Sequence, residues 1–290
     1  MTRTNGEADE YFFHLWHADA LEGLAMIDTA SVDAVITDPP YPGVFRQYGK
    51  TKTQLREEQW HDLMDAVIAQ VRRVLTPTGS AVFILQPVGN KIGSMSLWLP
   101  EFLIRTAKKW NWVRDHWWYN NNALPGVGGA DRRHQLCRGA MKHVLWFGAP
   151  GCYRNQEAVL LPPAPVRKGR ANDHTLKRTP SGRTMRDARA DAATAERGGR
   201  VPDNVVIIPN SKNTTIHPAI TPLSLADWWV RYISKPGDII LDPFCGSGTV
   251  GVAALRHGRH FLGIEKQAEY VAIANDRLAK TRGSERGRPR

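Results

Sequence analysis

The chain has 290 residues, 42% hydrophobic and 23% charged, which is enough for one large α/β domain or a domain with one sizeable insert. Its apolar runs fall far short of the roughly 20 residues a membrane span needs, and the opening MTRTNGEADE lacks the apolar stretch of a secretory signal. Cys137, Cys152 and Cys245 are too few and too scattered for a disulfide framework or a zinc site, so no metal and a reducing, cytoplasmic setting are expected, while a net charge of +11 favours a polyanionic partner.

Residues 11–17 read as a strand, with Asp19 in the turn after it. The short apolar run 34–37 ends abruptly at Asp38-Pro39-Pro40-Tyr41, where two prolines cannot continue a central strand. Trp60, Leu63, Met64, Val67, Ile68, Val71, Val74 and Leu75 then recur on one face of a long helix. Thr76-Pro77-Thr78-Gly79 is expected to end that helix, with a buried strand at 81–85. Two further strands are expected at 112–119 and 143–147, separated by a Gly-rich loop. At strand spacing, most of the cluster Trp110, Trp112, Trp117, Trp118 and Tyr119 is expected to be core.

Composition shifts after Gly148. Residues 150–203 are rich in Pro, Arg, Gly and Ala without a sustained period and read as an insert. A core pattern resumes at 205–208, and Pro222 suits the first position of a helix capped by Thr221. His217, in the turn before it, is expected to be structural or to flank a cofactor. A strand at 238–241, a helix opened by Gly246-Ser247-Gly248-Thr249 and closed by Gly258, a strand ending at Glu265 and a last helix over 268–280 complete the chain. Strands alternating with helices predict an α/β fold: a mostly parallel sheet with helices on both faces. The divisions expected are 11–149, the insert 150–203, 204–280 as part of the same domain as the first, and a basic tail over 281–290, with no further C-terminal domain.

Two motifs carry chemistry. In Leu241-Asp242-Pro243-Phe244-Cys245-Gly246-Ser247-Gly248-Thr249 a strand runs through a glycine turn into a helix. Such a turn lets backbone approach a ligand closely and offers free N–H groups. Glu265, at the end of the next strand, can accept hydrogen bonds from both ribose hydroxyls of a nucleoside. No Gly-Lys-Ser/Thr comes after the glycines, so this is not a phosphate-binding P-loop, and the dinucleotide pattern G-x-G-x-x-G is not met. The second motif is Asp38-Pro39-Pro40-Tyr41 at the carboxyl end of a strand, where open α/β sheets bind ligands. The Asp38 carboxylate and the Pro39 carbonyl can accept two hydrogen bonds from one exocyclic amino group, freeing its lone pair, and Tyr41 offers an aromatic face for a base. Taken singly, a Gly-x-Gly turn is often a tight corner and a DPPY stretch a polyproline turn; their coexistence is what argues for a site.

With these residues, the chain resembles the amino-methyltransferases of bacterial and phage DNA, the N6-adenine and N4-cytosine family. Asp38–Tyr41 is similar to that family's catalytic motif and Asp242–Thr249 to its S-adenosylmethionine motif; catalytic motif before cofactor motif is the circularly permuted, β-class order. His217–Leu223, Lys235–Asp238 and Val74–Gly79 also fit, and Asp19 matches an acidic position that faces the cofactor adenine. The match departs at Thr221, where the family often has Lys, and at Ala18-Asp19, where it often has a glycine-containing turn. The resemblance implies a Rossmann-like S-adenosylmethionine-dependent methyltransferase fold. Asp38, Pro39, Pro40 and Tyr41 would be catalytic, and Asp19, Asp242, Pro243, Phe244, Cys245, Gly246, Ser247, Gly248, Thr249 and Glu265 would bind the cofactor. It also implies direct transfer to a flipped-out base. Asp as the first motif residue favours adenine N6 over cytosine N4, since cytosine members more often carry Ser.

The insert lies where this class places its target-recognition region. Residues 166–200 hold ten Lys/Arg against four Asp/Glu. Arg167, Lys168, Arg170, Lys177, Arg178, Arg183 and Arg186 are the candidate contacts to double-stranded DNA. No membrane partner is expected, and homodimers occur in this class by analogy. Three other readings remain open at this point: N4-cytosine transfer, an RNA or protein amino-methyltransferase, and a non-catalytic nucleic-acid-binding protein. The motif order and the basic insert argue against the second, and intact Asp38, Tyr41 and Glu265 against the third.

Overall fold

The computed structural model describes residues 11–42, 46–48, 51–53, 55–88, 94–122, 139–163, 196–210 and 221–286. The chain forms two compact units, Met1–Arg154 with Asn204–Arg290, and Asn155–Asp203. In the second, a 3-10 turn at Glu157–Val159 and a bridge between Leu161 and Arg200 are described. The first unit carries the main sheet and both sequence motifs.

Its elements in chain order are β1 (Phe13–His17), α1 (Ala20–Ala25), β2 (Val32–Thr37), β3 (Arg46–Tyr48), β4 (Thr51–Thr53), α2 (Glu57–Val74) and β5 (Leu75–Leu85). Then come α3 (Trp98–Ala107), β6 (Trp112–Tyr119), β7 (Met141–Gly148), β8 (Val205–Ile207) and α4 (Leu223–Ile233). Last are β9 (Ile239–Asp242), α5 (Thr249–Arg256), β10 (His260–Glu265) and α6 (Ala268–Arg286). Among the described residues no helix is long and apolar enough to cross a membrane.

Eight strands form one sheet in the order β1-β10-β9-β2-β5-β7-β6-β8, flanked by helices; β3 and β4 pair separately. The run from β1 to β5 is parallel, β7 is antiparallel to both β5 and β6, and β8 rejoins in parallel. Central strands buried on both faces read as continuous apolar runs, as in β2 and the second half of β5. The amphipathic α2 packs Trp60, Met64, Val67, Val71 and Val74 against this sheet, all fully buried.

Four local expectations are corrected. Thr76–Gly79 is not a turn after α2, because β5 begins at once with Leu75. Val32 pairs with Leu75 and Ala34 with Ser80, so the four residues bulge opposite Asp33 alone. Asp19 is not merely in a turn; it caps α1 in a capping box with Glu22. Thr221 does not cap α4: Pro222 takes the N-cap position without a side-chain bond, and the Thr221 hydroxyl is used elsewhere. The last helix continues past 280 to Arg286, into the segment expected as a basic tail. Helix α3 was not expected. Its Pro100 hid it, yet in the first turn a proline costs nothing, since the N–H there has no helical partner.

Of the aromatic cluster, only Trp118 is fully buried; Trp112 is exposed. The main aromatic core on that side comes instead from α4. Trp228, Trp229 and Tyr232 pack around His116 and Trp146.

Candidate active site

The carboxyl ends of β2, β9 and β10 bring three carboxylates together. Asp38 comes directly after the last residue of β2, Asp242 ends β9 and Glu265 ends β10. The catalytic and cofactor motifs, about 200 residues apart in the chain, are joined by one short bond. Thr37 Oγ1, fully buried, donates to Asp242 Oδ1 at 2.7 Å. Asp242 also accepts from Phe244 N at 3.1 Å, which sets the first step of the glycine turn. Burial pushes the Asp242 carboxyl up to about 7; the Thr37 and Phe244 bonds oppose this, and the charges of Asp38 and Glu265 add to it.

In the turn, Gly246 and Gly248 have φ of 50° and 78°, the left-handed region that favours glycine. Gly248 is the N-cap of α5. Glu265 Oε2 accepts from Gly246 N at 2.9 Å and Oε1 from Gln267 N at 2.8 Å. Burial raises its pKa, against those backbone bonds. Each oxygen keeps acceptor capacity beyond these bonds. Asp19, two residues beyond β1, accepts from Leu21 N at 3.2 Å and pairs with Lys266 at 3.1 Å. Cys245 is buried with its thiol pushed well up, so it stays protonated. The donor set fits an adenosine-bearing cation: acceptors for hydroxyls, backbone N–H groups beside them, and carboxylates at three neighbouring strand ends to offset a positive charge.

The Asp38–Tyr41 loop is anchored from below. Trp60 Nε1 donates to the Pro40 carbonyl at 2.5 Å. Tyr41 is 7% exposed and its ring lies beside Trp98, 6.0 Å between centroids. Trp98 in turn meets Trp60 edge-on at 4.7 Å, so α2 and α3 together carry the loop. The Tyr41 hydroxyl donates to Asp38 Oδ1. Asp38 Oδ2 accepts from Lys142 Nζ at 3.1 Å and Thr221 Oγ1 at 3.2 Å.

Sequence reasoning missed Thr37, Lys142, the role of Thr221, and Arg277. Arg277 on α6 donates to the Ser247 carbonyl, to Ser247 Oγ at 2.9 Å and to Thr249 Oγ1 at 3.3 Å, clamping the glycine turn. Nothing local marks these residues, since each acts across the fold. The seven basic candidates Arg167, Lys168, Arg170, Lys177, Arg178, Arg183 and Arg186, and His217, lie outside the described residues.

An open, mostly parallel sheet with a glycine turn, an acidic strand end beyond it and an acidic loop one strand away defines a methyltransferase of the Rossmann-like class. The chain belongs to the N6/N4 DNA methylase family, whose model matches residues 32–276. It is 25% identical over 292 residues to the type II methyltransferase M.PvuII of Proteus hauseri, covering 93% of this chain and 85% of that protein. It is 28% identical over 271 residues to the DNA adenine methyltransferase YhdJ of Escherichia coli K12, covering 90% and 81%. The PvuII DNA methyltransferase, cytosine-N4-specific, superposes with a TM-score of 0.70 over 94% of this chain and 92% of that one, at 21% identity. TTHA0409 of Thermus thermophilus, complexed with S-adenosyl-L-methionine, does so at 0.59 and 26% identity, over 93% and 95%.

Proposed function

We propose that this chain, a DNA methyltransferase, transfers the methyl group of S-adenosylmethionine to N6 of adenine at a specific site in double-stranded DNA. The observation that carries this reading is the Thr37–Asp242 bond, which sets Asp38 one residue from the strand that leads into the glycine turn. An amino-group holder and a cofactor cradle therefore face one space. Support for adenine comes from the carboxylate at the first motif position and from the likeness to a protein named a DNA adenine methyltransferase.

When bound, the cofactor supplies an electrophilic methyl on a sulfonium sulfur. Gly246, Gly248 and Glu265 would hold its adenosine part, and the carboxylates of Asp242 and Asp38 would favour its positive charge. The target base leaves the stack at a cost of about a few kcal/mol. Its amino group donates to Asp38 and to the Pro39 carbonyl, which concentrates the nitrogen lone pair toward the methyl group. The bound cofactor would supply the methyl carbon for the new C–N bond, and the electron pair of the broken C–S bond would stay on its sulfur. The nitrogen then sheds a proton, for which Asp38 is the adjacent base. Stacking of the base on Tyr41 requires that ring to turn out of its packing against Trp98, exchanging its bond to Asp38 for the incoming amino group. Most of the catalysis is positioning and electrostatics. Basic residues of the insert supply phosphate and base contacts.

The test is expression in a methylation-deficient host, with plasmid DNA read by single-molecule sequencing. N6-methyladenine in one short motif is expected. N4-methylcytosine would overturn the base assignment, and an unmarked plasmid the substrate. Asp38→Ala is expected to abolish the mark while the purified protein still binds S-adenosylmethionine; a marked plasmid would remove Asp38 from its role.

A further inference from the structure

Lys142 belongs to neither motif, yet its ammonium sits 3.1 Å from Asp38 Oδ2 and 3.0 Å from the Tyr41 hydroxyl oxygen. The pair is largely enclosed, with side-chain exposures of 17% for Lys142 and 20% for Asp38. The ammonium also lies over two rings, 5.4 Å from the centre of Tyr41 and 5.1 Å from that of Trp118. Trp118 is rigid: it is buried, pairs with Lys142 across β6 and β7, and donates its indole N–H to the Ile208 carbonyl at 2.8 Å. Lys142 therefore reaches the Asp38 loop from a fixed strand on the antiparallel side of the sheet.

A carboxylate has about four acceptor sites. Among the described residues three donors reach Asp38: Tyr41 at Oδ1, and Lys142 and Thr221 both at Oδ2. The terminal torsion of an Asp side chain is broad, so its carboxylate plane is set only by its partners. Two donors from separate parts of the fold, converging on one oxygen, select that plane. We propose that Lys142 is a positioning residue for methyl transfer: with Thr221 it clamps Asp38 Oδ2, so that Oδ1 is the oxygen presented to the amino group of the target base. Lys142 acts through Asp38, and the inference rests on the role given to Asp38 above. A carboxylate left to rotate would spend less time in the attack geometry, and small misplacements of a reacting group are costly in rate.

Lys142→Met keeps the apolar stem against Tyr41 and Trp118 and removes the donor; Lys142→Arg keeps a donor and the charge. Single-turnover transfer from tritiated S-adenosylmethionine to plasmid DNA is measured alongside KM for DNA and cofactor Kd by calorimetry. Lys142→Met is expected to slow transfer about 10- to 100-fold, the scale of one charge-assisted hydrogen bond. KM for DNA and cofactor Kd are expected to stay at wild-type values, and Lys142→Arg to recover most of the rate. Thr221→Val, which removes the other donor on Oδ2 without touching the charge, is expected to slow transfer in the same manner. A Lys142→Met protein as fast as wild type overturns the proposal. So does a loss confined to KM for DNA, which would make Lys142 a phosphate contact, or an arginine variant as slow as the methionine one. If Lys142→Met fails to fold, an undiminished rate in Thr221→Val overturns it. Wild-type protein that leaves DNA unmarked removes the reading of Asp38 itself.

Discussion

Thr37→Val is nearly isosteric and takes away one donor from a buried carboxylate. The Thr37 bond favours the ionised form of Asp242, which burial otherwise disfavours. A hydrogen bond to a charged group contributes roughly 1.5–3 kcal/mol. At about 1.4 kcal/mol per pH unit, its loss raises the pKa of Asp242 by about one unit or more. In the native protein that ionisation is centred at about 7. A cationic cofactor favours the carboxylate, so its affinity falls as pH drops through that value. At pH 7, ionisation falls from about half to about a tenth, and cofactor binding weakens about fivefold by linkage. The two proteins converge once pH rises well above both values. Calorimetric Kd for S-adenosylmethionine from about pH 6 to about pH 9 gives both curves. S-adenosylhomocysteine, which lacks the sulfonium charge, is expected to show a weaker slope. Superimposed curves for the two proteins, or an affinity that ignores pH, would refute the role given to the Thr37–Asp242 bond.

Other outcomes depend on single contacts. Glu265→Gln leaves one of the donors Gly246 N and Gln267 N without a matching acceptor and is expected to weaken cofactor binding at least about tenfold, read by calorimetry. Arg277→Met frees the Ser247–Thr249 turn; thermal unfolding is expected to show a loss of about 1.5–3 kcal/mol, with a weaker cofactor Kd. His116 is buried among aromatic rings, which pushes its pKa down to about 4 from 6.5. The unfolded chain therefore binds its proton first, and stability present above pH 6.5 is lost as pH falls toward 4, by about 3 kcal/mol in all. His116→Phe is expected to flatten that part of the stability–pH curve, measured by urea unfolding. An unchanged slope would show that other groups carry the acid sensitivity.

Periodicity alone located α2, because Trp60 to Val74 meets one apolar sheet face throughout. The glycine turn and the Asp38 loop were also legible, since each is a local pattern that ends a strand. Helix α1 had a visible capping box in Asp19 and Glu22, but at six residues it left no period to read. Helix α3 was hidden by Pro100, and the start of β5 by turn-forming residues that the sheet accepts as a bulge. In these places tertiary context overrode local propensity.

By itself the sequence determined the class of fold and the two chemical motifs, because backbone geometry at a strand end depends on neighbours in the chain. It determined neither the partners of Asp38 nor those of the glycine turn. Thr37 and Asp242 meet only because β2 and β9 are adjacent in the sheet. Lys142 and Thr221 meet at Asp38 Oδ2 across 104 and 183 positions, and Arg277 reaches back 30 to Ser247. Such contacts are set by strand order and helix packing, which place side chains in space without regard to their separation along the chain.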